Sequence, residues 1–147
     1  MTMKSIVIAT LLAGLACTSA MARDTEYKVP LTEVLEMPEA QGKLDGTVKF
    51  YLAGQSTPAV IQKLGEDVSN RKTNGVGKED RFGCKWAALS ALIALQDKAK
   101  SLGANAVVDI VSYYKKSTFS SPTDFECHAG AMVIGVAFKG TYAKVAK

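Results

Sequence analysis

The residues best able to do chemistry together lie in one short run. In Phe125-Glu126-Cys127-His128-Ala129-Gly130, a cysteine stands directly before the one histidine of the chain, with carboxylates at Asp124 and Glu126 just upstream. Cys84 is the other cysteine beyond the N-terminal leader. Thiolate, imidazole and carboxylate are all zinc ligands, so Cys84, Cys127, His128 and either Glu126 or Asp124 could form a mixed metal site. Two cysteines in an oxidising compartment form a disulfide by default, which is a different chemistry for the same residues. Adjacent residues on a strand point to opposite faces, so Cys127 and His128 do not readily share one ion. Neither a CxxC nor an HxxxH spacing accompanies them. The expectation is a Cys84–Cys127 bridge, with a metal site at His128, Glu126 and Asp124 as the alternative. A bridged cysteine offers no thiolate, which argues against a Cys–His nucleophile.

Other catalytic patterns are missing from the sequence. Asn74-Gly75-Val76-Gly77-Lys78-Glu79-Asp80 has the glycine content of a phosphate loop. A P-loop, however, needs glycine where Lys72 stands and a hydroxyl residue where Glu79 stands. No GxSxG, HExxH or GxGxxG occurs. Asp109, inside an apolar run, is the one candidate for a buried carboxylate, and we expect it on a sheet face with a lysine or backbone partner. The formal net charge of +4 is mild and its lysines are dispersed. Nucleic-acid binding calls for a clustered basic patch. Ser112-Tyr113-Tyr114-Lys115-Lys116 comes nearest to one and reads as a strand end reaching solvent. We expect no nucleic-acid partner and no cofactor.

The elements that must position these residues begin after a leader. Lys4 followed by the apolar Ser5–Ala16 stretch, then Ala20-Met21-Ala22, has the form of a signal peptide cleaved before Arg23. Residues 1–22 are thus a signal peptide and 23–147 one domain, expected in the periplasm. The apolar run is too short to span a bilayer and no other segment could. Anchoring through a lipidated Cys17 is the alternative, although Gly14 poorly fits the branched apolar position before such a cysteine.

Within 23–147, the stretch 23–80 reads as irregular. Gly46–Gly54 alternates like a strand, and the region from Thr57 to Lys72 is ambiguous between strand and helix. The stretch 81–147 reads as a helix-plus-sheet core. Ala88, Leu92, Leu95, Ala99 and Leu102 form a helical stripe, Asp80 could cap its start and Gly103 its end. Asn105–Tyr114 and Cys127–Lys139 read as strands, with a short last strand after Gly140. On the second of these, Ala129, Ala131, Val133, Gly135 and Ala137 make a small-residue face on which an alanine-rich helix should pack. Met132, Ile134, Val136 and Phe138 would then face a second layer, either the N-terminal third or another subunit. A helix of about 27 Å followed by a returning strand of about 33 Å brings the far strand end back to Cys84. If the next strand pairs with it as a hairpin, Cys127 arrives there too.

The run Ala94–Tyr114, with Leu102-Gly103-Ala104-Asn105-Ala106-Val107 at its centre, and the later Gly130–Val145 resemble the YbjQ-type family of small α/β domains. Heavy-metal binding has been ascribed to that family. The same residues resemble the related periplasmic sensor domain of the Rcs envelope-stress lipoprotein, which is disulfide-stapled. That sensor carries four domain cysteines where this mature chain has two. Over its full length the chain also resembles exported Gram-negative proteins, some of which carry the name excinuclease ATPase subunit. Without a P-loop, that name has no chemical basis in these residues. The resulting expectation is an α+β domain, one long helix on a mainly antiparallel sheet stapled by a disulfide. It would act as an exported, non-catalytic binding or envelope-interaction module whose partner is an envelope protein or small ligand. A periplasmic metal-binding protein is the alternative, and a homo-oligomer is compatible with either.

Overall fold

One long strand organises the molecule. The computed structural model describes residues 22–147, so the signal-peptide and Cys17 expectations lie outside the described residues. The elements are β1 (Thr25–Pro30), α1 (Leu31–Leu35), α2 (Pro38–Gln41), β2 (Lys49–Leu52), β3 (Val60–Asn74), α3 (Asp80–Leu102), β4 (Ala106–Ser112), β5 (Asp124–Ala129) and β6 (Val133–Val145), with a 3-10 turn at Tyr114–Lys116. Six strands form one sheet in the order β1-β5-β6-β4-β2, with β3 also on β6. Along one edge β6 pairs first with β5 and then with β4, while β3 follows its other edge from end to end. Only β2 and β4 run parallel. The fold is α+β, as expected. No helix among the described residues is long and apolar enough to cross a membrane.

The helix α3 forms for the reasons its pattern implies. Ala88, Leu92, Leu95 and Ala99 are all buried, whereas Leu102 stays partly exposed. Gly103 closes the helix in the left-handed conformation at φ 74°, its N–H returning to the Ala99 and Lys100 carbonyls, a geometry that glycine adopts without steric cost. The start differs from expectation. Glu79 is the N-cap and makes no side-chain cap bond, while the Asp80 carboxylate accepts from Arg23 and Tyr27 instead.

The strand expected over Cys127–Lys139 is divided between β5 and β6, and on β6 the packing faces are the reverse of those expected. The helix lies on the bulky face of β6, where Ile134, Val136 and Phe138 join Ala87, Ala88, Ala91 and Leu92 in one core. Close approach comes from the helix. A Cβ added at Gly83 would lie 2.3 Å from Ile134 Cδ1, so large strand residues fit beneath a small-residue helix. The small face, with Gly135, Ala137 and Ala143, lies on the side away from α3. Tyr114 covers Gly135 there, 3.1 Å from where a Cβ would stand.

Two further expectations need correction. The stretch 23–80 is regular, holding β1, α1, α2, β2 and the 15-residue β3. And β4 forms no hairpin with β5, because β6 pairs with both; an isolated bridge between Ser112 and Phe119 closes the loop instead. Cys127 nevertheless reaches the helix start. Cys84 and Cys127 are joined by a disulfide with their Cα atoms 5.7 Å apart, and both are fully buried.

Candidate functional site

β1 and β5 run antiparallel, with Glu26 opposite His128 and Lys28 opposite Glu126. Alternation sends Phe125, Cys127 and Ala129 into the helix-side core, so Glu126 and His128 emerge on the other face. That separation puts the Cys127 sulfur and the His128 ring on opposite sides of the sheet, and the mixed cysteine–histidine site does not assemble. Four charged groups gather around His128 instead. Its Nε2 lies 2.5 Å from Glu126 Oε1 and its Nδ1 lies 2.8 Å from Asp24 Oδ1. Lys28 Nζ donates to Glu126 Oε2 at 2.9 Å and also to Glu26. The Tyr114 ring stacks on the imidazole, centroids 3.9 Å apart and planes 9° from parallel, and the Lys28 ammonium sits 4.0 Å from the Phe119 ring centroid.

The electrostatics follow from these contacts. Burial pushes the Glu126 carboxyl up, but the hydrogen bonds from His128 and Lys28 outweigh it and hold the group below the usual glutamate range. Burial likewise works against the charged Lys28 ammonium, and Glu26 and Glu126 more than offset it, leaving the lysine raised. Both ring nitrogens of His128 thus face carboxylate oxygens, one from each side of the β1–β5 pair. The buried Ser112 Oγ accepts the Glu126 backbone N–H at 2.8 Å and makes no hydrogen bond to His128. The arrangement therefore holds charge and fixes two strands, with no hydroxyl or thiol poised against a base.

The expected metal ligands are partly brought together. One ligand atom each from Glu26, Glu126 and His128 lies within 4.8 Å of the others. Asp124 is not among them. It lines a cleft of about 440 Å³ with Pro30, Leu31, Leu35 and Phe50, and Glu26 from β1 stands with Glu126 and His128 in its stead. Lys28 already bridges Glu26 and Glu126, so a cation binding there must displace an ammonium. Asp24, Glu26 and Lys28 were missed by the sequence reading. Their alternation in Asp24-Thr25-Glu26-Tyr27-Lys28 is a period-two polar face, a signal overridden by the nearby Pro30.

A second cleft of about 310 Å³ adjoins the first, sharing Leu35 and Phe50 and continuing past Ala40, Leu44 and Val48. Volumes of this order suit a small ligand or a short peptide. α1 and α2 form one wall; Pro38 opens α2 at its first position, where its missing N–H costs nothing. Asp109 is not a buried carboxylate. It is exposed at φ 53° on a bulge of β4 between Val108 and Val111. Tyr113 and Tyr114 of the basic run face inward partners, Tyr113 beneath Lys139 and Tyr114 on His128. No family model matches the chain, and no curated protein matches it significantly.

Proposed function

We propose that this is an exported, non-catalytic binding or interaction module of the bacterial envelope, its contact site the apolar cleft around Leu35 and Phe50. The observation that carries this reading is where the reactive residue types are used. Cys84 and Cys127 close a disulfide, and His128 is held between two carboxylates beneath Tyr114. Those groups serve the fold, which leaves the concave apolar surface as the place where a ligand would gain most from desolvation. The buried disulfide suits an oxidising compartment, and the leader-like residues 1–22 suit export to the periplasm. The resemblance to the Rcs-type sensor domain is consistent with an interaction role.

A photoreactive residue at Leu35 tests this in intact cells. A discrete adduct is expected, lost when Phe50→Asp is added. Absence of the adduct, or the same adduct from a probe at Lys78, contradicts the reading.

The second reading, a metal-binding protein, is favoured by the closeness of Glu26, Glu126 and His128. Zinc titrated into the purified protein distinguishes the two. Under our reading, zinc leaves the melting temperature unchanged in wild type and in His128→Ala alike. A rise in the wild type that His128→Ala abolishes would establish the metal site.

A further inference from the structure

The longest strand, β3, is also the least covered. Of the residues of β3, Ser69 alone is buried, its Oγ donating to the Ala91 carbonyl at 3.0 Å. One edge of β3 follows β6, and among the described residues its other edge pairs with no strand. Fifteen residues of strand present an edge about 50 Å long that no other described strand covers. Monomeric proteins usually guard such an edge with bulges, prolines or charged side chains. Here the register shifts are confined to the first part, between Val60 and Gly65. From Glu66 to Asn74 the strand is regular and contains no proline.

The charges on that regular part read as a palindrome. Glu66 and Asp67 precede Ser69, and Arg71 and Lys72 follow it at the same distances. Turn the strand end for end about Ser69, and Glu66 meets Lys72 while Asp67 meets Arg71. The faces agree as well. Asp67 and Arg71 stand opposite Gly140 and Val136 of β6 on the helix side, and Glu66 and Lys72 stand opposite Thr141 and Gly135 on the other. Directly opposed unlike charges stabilise antiparallel pairs and like charges oppose them, which fixes the register. Val68, a large apolar residue left 43% exposed, would be covered across from Asn70 of the other copy. Existing contacts there are local: Lys139 approaches Glu66 at 3.4 Å, the Tyr142 hydroxyl donates to Asp67 at 2.8 Å, and the Val68 N–H donates to Asp67 Oδ1 at 2.8 Å, a bond that pairing would exchange for one to the other copy.

We propose that the free edge of β3 pairs antiparallel with the same edge of a second copy of this chain, centred on Ser69 and joining two sheets into one. The two-fold symmetry makes the interface self-complementary and closed. Each opposed pair occurs twice, so the register is chosen by two ion pairs and their symmetry mates. This surface is separate from the Leu35–Phe50 cleft, and its test does not depend on that reading.

Charge reversal in two complementary variants provides the test. One carries Glu66→Lys and Asp67→Lys, the other Arg71→Glu and Lys72→Glu. Wild type should scatter light as a dimer at high micromolar concentration and low salt, and salt should weaken it. Each variant alone opposes like charges at every pair and should self-associate about tenfold or more weakly. Mixed in equal amounts, one all-basic and one all-acidic strand should recover a heterodimer. A strictly monomeric wild type would assign the edge to another occupant and overturn the proposal. So would variants that dimerise as wild type does, or a mixture that stays monomeric. Should a double variant fold poorly, Lys72→Glu alone, checked against wild-type thermal unfolding, carries the same comparison.

Discussion

Among single residues, Cys127 is bonded to Cys84, and Glu126 and His128 contact each other, Lys28 and Asp24. Glu126 shows how this can be measured. Its folded-state acidity is held below the ordinary value of 4.5, so its contribution is complete above that value and lost as the pH falls through the lowered one. Glu126→Gln removes a carboxylate that pairs with Lys28 and His128, and should cost about 1–3 kcal/mol at neutral pH. Denaturation followed from pH 7 to pH 3 should show the gap between wild type and variant closing on the acid side. Parallel curves would mean that Glu126 is not held charged by these partners. The sequence pointed to His128 and Glu126 because their types are chemically informative. It could not pair them with Asp24, Glu26 and Lys28, which lie about a hundred positions away and arrive only when β1 docks on β5.

Among the elements, α3 was legible because three signals agree there: an apolar stripe, a helix-stopping glycine and a following β-branched run. β3 was not, since a strand with one buried residue has no reason to alternate. The face on which α3 packs was misjudged for a related reason. Small residues on both partners made either fit plausible, and only the Gly83–Ile134 contact decides between them. β4 carries a subtler device. The bulge at Asp109 adds a residue, so Val107 and Ile110, three apart, both face the core and close on Gly140 of β6. A Cβ at Gly140 would lie 2.8 Å from Val107 Cγ1 and 3.1 Å from Ile110 Cγ1. Gly140→Val should therefore destabilise by about 1–3 kcal/mol through overpacking. Adding Val107→Ala should restore part of it in urea melts. No recovery would place the strain elsewhere than in this contact.

For the molecule as a whole, the disulfide ties β5 to the start of α3 and the His128 cluster ties it to β1. The bridge was foreseen from helix and strand lengths, although the hairpin assumed for Cys127 does not form. What brings the two sulfurs together is β5 inserted between β1 and β6 beneath the helix start. Its closed loop spans a sequence separation of 43, for which chain entropy gives a stabilisation of about 4 kcal/mol. Reduction should lower the denaturation free energy by about that amount, leaving an apolar contact between two buried thiols. The pairing of Cys84 with Cys127 is checked by thiol counting on a chain beginning at Arg23, unfolded without reductant after treatment with a chelator. No titratable thiol is expected, because Cys84 and Cys127 are joined to each other. Two free thiols, released only after chelation, would contradict that pairing and return the cysteines to a metal.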